Sequence, residues 1–182
     1  MKDRFLPLLP CLALAGALWA PAAQAVLAVG VRAPDFTTTA VLAGKRFDFH
    51  LAQALKKGPV VLYFYPKAFS SQCTMEARAF SEAAAQFKAL GATVIGVSSD
   101  SVETLKLFSV TECHGKFAVA TDAQAQVMRR YDAVRDPATG QAERVSYVIS
   151  PRGRVVHVHA NRESEGHVGG ALAALKKWKA AQ

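Results

Sequence analysis

Pro59-Val60-Val61-Leu62-Tyr63-Phe64-Tyr65-Pro66-Lys67-Ala68-Phe69-Ser70-Ser71-Gln72-Cys73-Thr74-Met75-Glu76-Ala77 is the stretch from which the rest of the chain can be read. Its first seven residues are apolar on both faces and rich in β-formers, the pattern of a central strand covered on each side. Pro66 ends that strand. From Cys73 to Leu90 the apolar residues Phe80, Ala83, Phe87 and Leu90 recur at intervals of three and four, which predicts a helix that Gly91 stops. A buried strand thus runs through a loop, Pro66 to Gln72, into a helix whose first turn carries a cysteine.

Outward from this unit the alternation continues. Thr93 to Val97 reads as a second buried strand, and Ser101 opens a helix through Val102, Leu105 and Phe108 to Cys113, ended by His114-Gly115. Phe117 to Ala120 is a short strand, Ala123 to Tyr131 a short helix, and Asp136 to Gly140 a turn. Two strands, Val145 to Ile149 and Val155 to Val158, flank Pro151-Arg152-Gly153 as a hairpin. Ser164 is placed to cap a last helix carrying Val168, Leu172, Leu175 and Trp178. Upstream, Arg46 to Phe49 alternates as a short strand, while Val26 to Thr39 shows no sustained period. The order β-α-β-α-β-α-β-β-α predicts an α/β three-layer sandwich with a mixed central sheet and flanking helices. A thioredoxin-like arrangement is compatible with it, though periodicity does not choose among α/β relatives.

The chain has 182 residues, 51% hydrophobic and 20% charged, enough for one domain with a core that needs no disulfide staples. Residues 1–25 read differently. Lys2 and Arg4 form a basic start, an apolar run extends from Phe5 to about Trp19, and Ala23-Gln24-Ala25 is an A-x-A cleavage site. This is the pattern of a secretory signal peptide, leaving residues 26–182 as the domain and a periplasmic or secreted location. A retained membrane anchor is the alternative; the prolines at 7 and 10 and the short run weigh against it. Cys11 would leave with the signal, and no membrane association is expected after cleavage. Net charge is +8, of which Lys2, Asp3 and Arg4 account for +1, leaving +7 on the rest. The charges are scattered, with no arginine-rich arm and no basic helix interleaved with aromatics, so nucleic acid is not an expected partner.

Cys73 and Cys113 remain after residue 25. In an exported protein such a pair can be a structural disulfide. The position of Cys73 argues for chemistry instead. At a helix N-terminus free amide groups and the macrodipole favour an anion, and the thiolate is the nucleophilic form. Ser70 can present its hydroxyl at the same helix end, or serve simply as an N-cap.

The run Tyr65 to Ala77 resembles the active site of the peroxiredoxins. It matches P-x-x-x-[T/S]-x-x-C at Pro66, Ser70 and Cys73, and the surrounding Tyr-Phe-Tyr-Pro-Lys and Cys-Thr-x-Glu-Ala are most similar to the bacterioferritin comigratory protein branch. Ala33-Pro34-Asp35-Phe36 resembles the family's entry segment, Val94 to Ser98 its second core strand, and Arg144 to Ile149 the strand that brings its arginine. The resemblance spans about Gly30 to Gly153. It implies a thioredoxin-like fold and a thiol peroxidase acting on hydrogen peroxide and organic hydroperoxides. Cys73 would be the peroxidatic cysteine, passing through a sulfenic acid. Arg144 would hold thiolate and peroxide, Ser70 would hydrogen-bond the peroxide, and Pro66 would shield the pocket. Glu76, a turn after Cys73, would orient Arg144, unless it is a surface carboxylate.

Many members of that branch carry a resolving cysteine five residues after the first; here Arg78 stands there. Cys113 is the one candidate left, either as resolving cysteine through an intramolecular disulfide or as an inert buried thiol. The resemblance also implies a thioredoxin-like dithiol reductant, and a monomer or weak dimer. No cofactor is expected. His157 and His159 share one face of a strand, but without a third ligand at a telling spacing they read as a solvent-facing pair and no metal site. Two other functions stay open: a thiol-disulfide reductase acting on protein disulfides, against which the lack of C-x-x-C counts, and a non-enzymatic secreted domain with a permanent staple.

Overall fold

A computed structural model describes residues 26–182; residues 1–25, on which the signal-peptide expectation and Cys11 fall, lie outside the described residues. A seven-stranded sheet runs β2-β1-β5-β4-β3-β8-β9. The strands are β1 Thr37–Leu42, β2 Lys45–His50, β3 Val60–Phe64, β4 Thr93–Ser98, β5 Ala118–Thr121, β8 Val145–Ile149 and β9 Val155–Ala160. β3, β4 and β5 are parallel, while β8 joins β3 antiparallel on the other side, making the sheet mixed as expected. A separate small pair, β6 Val134–Asp136 and β7 Gln141–Ala142, brackets the predicted turn.

β3 shows why the strand dictates three layers. All five of its residues are buried. Val60, Leu62 and Phe64 enter a core with Leu51 and Leu55 of α1 (Leu51–Leu55) and Val127 and Met128 of α5 (Gln126–Arg130). Val61 and Tyr63, with Tyr65 beyond, enter the opposite core. There they meet α2 (Ser71–Glu82), α3 (Ala84–Ala89), α4 (Val102–Thr111) and α6 (His167–Ala180). Alternating side chains of one strand therefore fill two cores. Tyr63 stacks on Phe80 at 4.4 Å between ring centroids, and its ring fills the space over Gly96, where a Cβ would sit 2.6 Å from the ring.

The structure corrects several expectations. β1 was not foreseen; it pairs with β2 along six residues and with β5, joining the entry segment to the sheet. The predicted helix from Cys73 to Leu90 begins at Ser71 and breaks at Ala83 into α2 and α3. The Ser101 helix ends at Thr111, so Cys113 lies just past it, its N–H reaching back to the Phe108 carbonyl at 3.1 Å. Ser164 does not cap the last helix, which starts at His167 after a left-handed Gly166 with φ of 86°. His157 and His159 are half-buried under α6 rather than solvent-facing: a Cβ on Gly170 would lie 3.0 Å from His157 Nε2 and one on Gly166 2.7 Å from His159 Nε2. α6 comes this close because those two positions are glycine.

Candidate active site

Cys73 is the third residue of α2, whose N-cap is Ser70. The preceding loop leaves β3 through a bond from the Tyr65 N–H to the Val97 carbonyl, 3.1 Å. Asp100 then pins it: Oδ2 accepts from the Ala68 N–H at 2.7 Å and from the Ser98 hydroxyl at 2.8 Å. Phe69 adopts a left-handed backbone, φ 64°, and sets its ring edge-on to Phe108 of α4 at 5.1 Å. A β-branched or aromatic residue rarely adopts that conformation without packing to hold it. The loop delivers Cys73 nearly fully buried.

Arg144, one residue before β8, meets the sulfur from the neighbouring strand. Its Nη2 lies 3.2 Å from Cys73 Sγ, its Nη1 donates to Glu76 Oε2, and its Nε donates to the Arg162 carbonyl at 2.9 Å. The guanidinium fork is thus held on three sides and keeps one edge on the sulfur. Burial opposes its charge, but Glu76 and Cys73 outweigh that and raise its pKa. Glu76 is fully buried, and burial pushes its carboxyl up to about 7 while Arg144 pulls it down without cancelling the effect. The surface-carboxylate alternative for Glu76 is thereby excluded.

A cavity of about 300 Å³ opens to solvent on the side of Arg144, its walls including Pro66, Lys67, Ser70, Arg135, Arg144 and Arg162. Pro66 is half-buried in that wall, and Ser70 is exposed. The Ser70 hydroxyl donates to the Lys67 carbonyl at 3.0 Å rather than capping the helix, so its lone pairs remain free to accept. A larger cavity, about 690 Å³ near Phe47, Phe87 and Lys116, shares no residue with this site. The five residues picked from sequence, Pro66, Ser70, Cys73, Glu76 and Arg144, therefore converge on one place.

A buried cysteine at a helix N-terminus, paired with a fixed guanidinium that lines an open cavity, is an arrangement that can stabilise negative charge on sulfur. The family model described as the AhpC/TSA family matches residues 29–158. The chain belongs to this family. A chloroplastic 2-cysteine peroxiredoxin from Chattonella marina var. antiqua is 33% identical over 144 residues, 76% of this chain and 73% of the relative. Peroxiredoxin Bcp from Xanthomonas campestris pv. campestris is 32% identical over 122 residues, 64% of this chain and 76% of the relative. The crystal structure of peroxidoxin BcpB from Mycobacterium tuberculosis superposes with a TM-score of 0.75 at 28% identity, covering 82% of this chain and 96% of that one. This peroxiredoxin accordingly has the thioredoxin-like fold and carries its family's thiol-dependent peroxidase chemistry.

Cys113 is also a free thiol, fully buried. It belongs to the same apolar cluster as Cys73, Tyr63, Phe108 and Phe117. Burial pushes its thiol well above the ordinary range, and Glu112 adds to the shift. α2 grips the turn around it from both sides: Arg78 pairs with Glu112 at 2.8 Å, and the Ser81 hydroxyl lies 3.5 Å from His114 Nδ1. His114 and Gly115 both have left-handed backbones.

Sequence reasoning missed the loop between β9 and α6, which ties the site together. Gln72, next to Cys73, donates to Glu163 Oε2 at 2.7 Å and accepts the Ser164 N–H at 3.3 Å. His159 lies 3.2 Å from the Glu165 carbonyl. Most of these contacts fall on backbone atoms, which leave no mark on residue type. Among the described residues no group of three or more His, Cys, Asp or Glu is arranged to hold a metal ion.

Proposed function

We propose that the protein reduces hydrogen peroxide and organic hydroperoxides through a sulfenic acid on Cys73, which Cys113 resolves as an intramolecular disulfide. The observation that carries the first step is Arg144, which lines an open cavity and sets its guanidinium 3.2 Å from the buried Cys73 sulfur. The Cys73 thiolate gives an electron pair to one peroxide oxygen. The S–O bond forms as the O–O bond breaks, leaving Cys73 as sulfenic acid, and the departing alkoxide or hydroxide takes a proton to become alcohol or water. Arg144 donates both to the sulfur and to the oxygen on which charge develops. Ser70 accepts a hydrogen bond from the hydroperoxide O–H, which stays on the transferred oxygen, and Pro66 keeps bulk water from the sulfur.

In the second step the Cys113 sulfur attacks the sulfenic sulfur, an S–S bond forms, and the hydroxyl leaves as water. The two sulfurs must come to about 2 Å, so the first turn of α2 and the turn after α4 that carries Cys113 open locally. A thioredoxin-like dithiol then supplies two electrons and two protons to restore both thiols. The signal-type segment of residues 1–25 supports placing this cycle in the periplasm or outside the cell, with its reductant there. The full burial of Cys113 favours a second reading, in which it stays inert and an external thiol reduces the sulfenic acid.

Stopped-flow oxidation of the reduced protein by hydrogen peroxide tests both steps. Fast consumption lost only in Cys73→Ser, with a Cys73–Cys113 disulfide in the parent protein, supports the two-cysteine cycle. The same rate with a lasting sulfenic acid and no disulfide selects the second reading. A rate no faster than that of free cysteine sinks the peroxidase reading.

A further inference from the structure

His167, the first residue of α6, is fully buried and engages both ring nitrogens. Its Nε2 lies 3.1 Å from the Asn161 carbonyl. A carbonyl only accepts, so Nε2 carries the proton and Nδ1 is the basic nitrogen of the neutral ring. Nδ1 lies 2.7 Å from the Ser146 hydroxyl of β8 and 3.7 Å from Glu76 Oε1. That oxygen is buried and has no hydrogen-bond partner, although its twin Oε2 holds Arg144. The titratable or charged groups around Glu76 are Arg144 beside β8, His167 of α6, Cys73 of its own helix and Tyr63 of β3. His159 of β9 packs edge-on to His167, 4.6 Å between ring centroids. Of these, His167 brings a ring nitrogen to 3.7 Å from the free oxygen, while the Tyr63 hydroxyl is likewise buried without a hydrogen-bond partner.

We propose that His167 is a positioning residue of the thiol site: its Nδ1 takes the free oxygen of Glu76 as a hydrogen-bond partner, and through Glu76 it fixes Arg144 against Cys73. A buried acceptor left alone is costly, and a small shift closing 3.7 Å to hydrogen-bond distance removes that cost, with the Ser146 hydroxyl ceding the single lone pair of Nδ1 that it meets at 2.7 Å. The bond needs one proton between the two atoms. Burial pushes Glu76 up to about 7 and pulls His167 down to about 4, so below about pH 7 the proton rests on Glu76 and is donated to Nδ1. A neutral Glu76 still accepts from Arg144 through Oε2 and leaves the guanidinium charge to the Cys73 thiolate. The same ring anchors the Asn161 carbonyl, next to the Arg162 carbonyl that takes Arg144 Nε, so both supports of the arginine pass through His167.

The effect on rate rests on the peroxidase reading; the effect on Glu76 does not. The test uses His167→Phe, His167→Asn and His167→Gln in the reduced protein. Asn places an amide near the position of Nδ1, whereas Gln reaches only that of Nε2. Infrared spectroscopy reads the carbonyl stretch of protonated Glu76, assigned by its loss in Glu76→Gln. The parent protein and His167→Asn are expected to show a hydrogen-bonded carboxyl, and His167→Phe and His167→Gln a band moved to the higher frequency of a free one. Peroxide oxidation of Cys73 should fall about tenfold or more in the Phe and Gln variants and about threefold or less in the Asn variant. An unmoved band in His167→Phe, or rescue by Gln but not by Asn, overturns the proposal and leaves His167 as a loop tether. Should His167→Phe fail to fold, the Asn and Gln pair still decides. Slow peroxide reaction in the parent protein would remove the peroxidase reading while the infrared result stands.

Discussion

Cys73 and Cys113 sit in one apolar cluster, both reduced, at 2% and 0% exposure. By burial they are the same residue. They differ in what touches the sulfur. Cys73 has Arg144 at 3.2 Å and the first turn of α2 beneath it, so a negative sulfur there has a partner. Cys113 has only the apolar cluster and a nearby carboxylate, Glu112, and its thiol is driven far from ionising. Burial alone does not silence a cysteine. An unpartnered burial does, and the turn around Cys113 is held shut by polar contacts that can open.

The sharpest break of this comparison removes the partner. Cys73→Ser should abolish rapid peroxide consumption altogether, and Arg144→Gln, which keeps hydrogen-bonding shape but drops the charge, should slow it by about 10²–10³-fold. Stopped-flow rates at saturating reduction check both. If Arg144→Gln loses less than about threefold, the guanidinium is not what separates the two cysteines. Cys113→Ser is the next test. It should leave the peroxide rate within about twofold, since the first step does not use it, while the intramolecular disulfide disappears and sulfenic acid on Cys73 accumulates, as mass spectrometry after dimedone trapping would show.

The active half of this contrast was largely legible in the sequence, and the reason is local. Five β-forming residues covered on both faces, a proline stop and a helical period place Cys73 at a helix N-terminus with no long-range information. Arg144 and Glu76 came from the family resemblance, and the structure brings their side chains together on one sulfur. What stayed hidden is non-local. β1 opens with three threonines and becomes a strand because β2 and β5 flank it. The break at Ala83 has no glycine or proline to announce it, and Phe80 and Phe87 keep helical spacing across it while both pack into the same core. His167 gave no sign, because a buried histidine is defined by the carbonyl and carboxylate around it, not by its neighbours in sequence.

A pH titration of stability separates the charged surroundings of Cys73 from the apolar ones of Cys113. Glu76 has its pKa raised from 4.5 to about 7 on folding, so its contribution is fully present below about pH 4.5 and is lost as pH rises through 7. His167 is shifted the other way, from 6.5 to about 4, so its contribution is present above pH 6.5 and is lost as pH falls through 4. Between pH 4.5 and 6.5 the two slopes oppose each other. Glu76→Gln should expose the His167 slope, so that chemical denaturation midpoints rise with pH across this window more steeply than in the parent protein. Identical profiles for the two proteins would mean that Glu76 does not titrate with folding.

The smallest effect tests whether the silence of Cys113 is held by a latch. Arg78 occupies the position five residues after Cys73, and its side chain pairs with Glu112 at 2.8 Å, directly beside Cys113. Arg78 is more than half exposed, so the pair is worth about 0–1 kcal/mol. Arg78→Ala should therefore raise the population of the opened turn, and with it the rate of disulfide formation after a single peroxide pulse, by about two- to fivefold, while the preceding oxidation of Cys73 keeps its rate. Glu112→Gln should give the same acceleration, and the double variant little more, because both remove one interaction. Additive accelerations would mean that the two side chains hold the turn independently. No acceleration in either would place the resistance to opening in the apolar packing around Phe108 and Phe117.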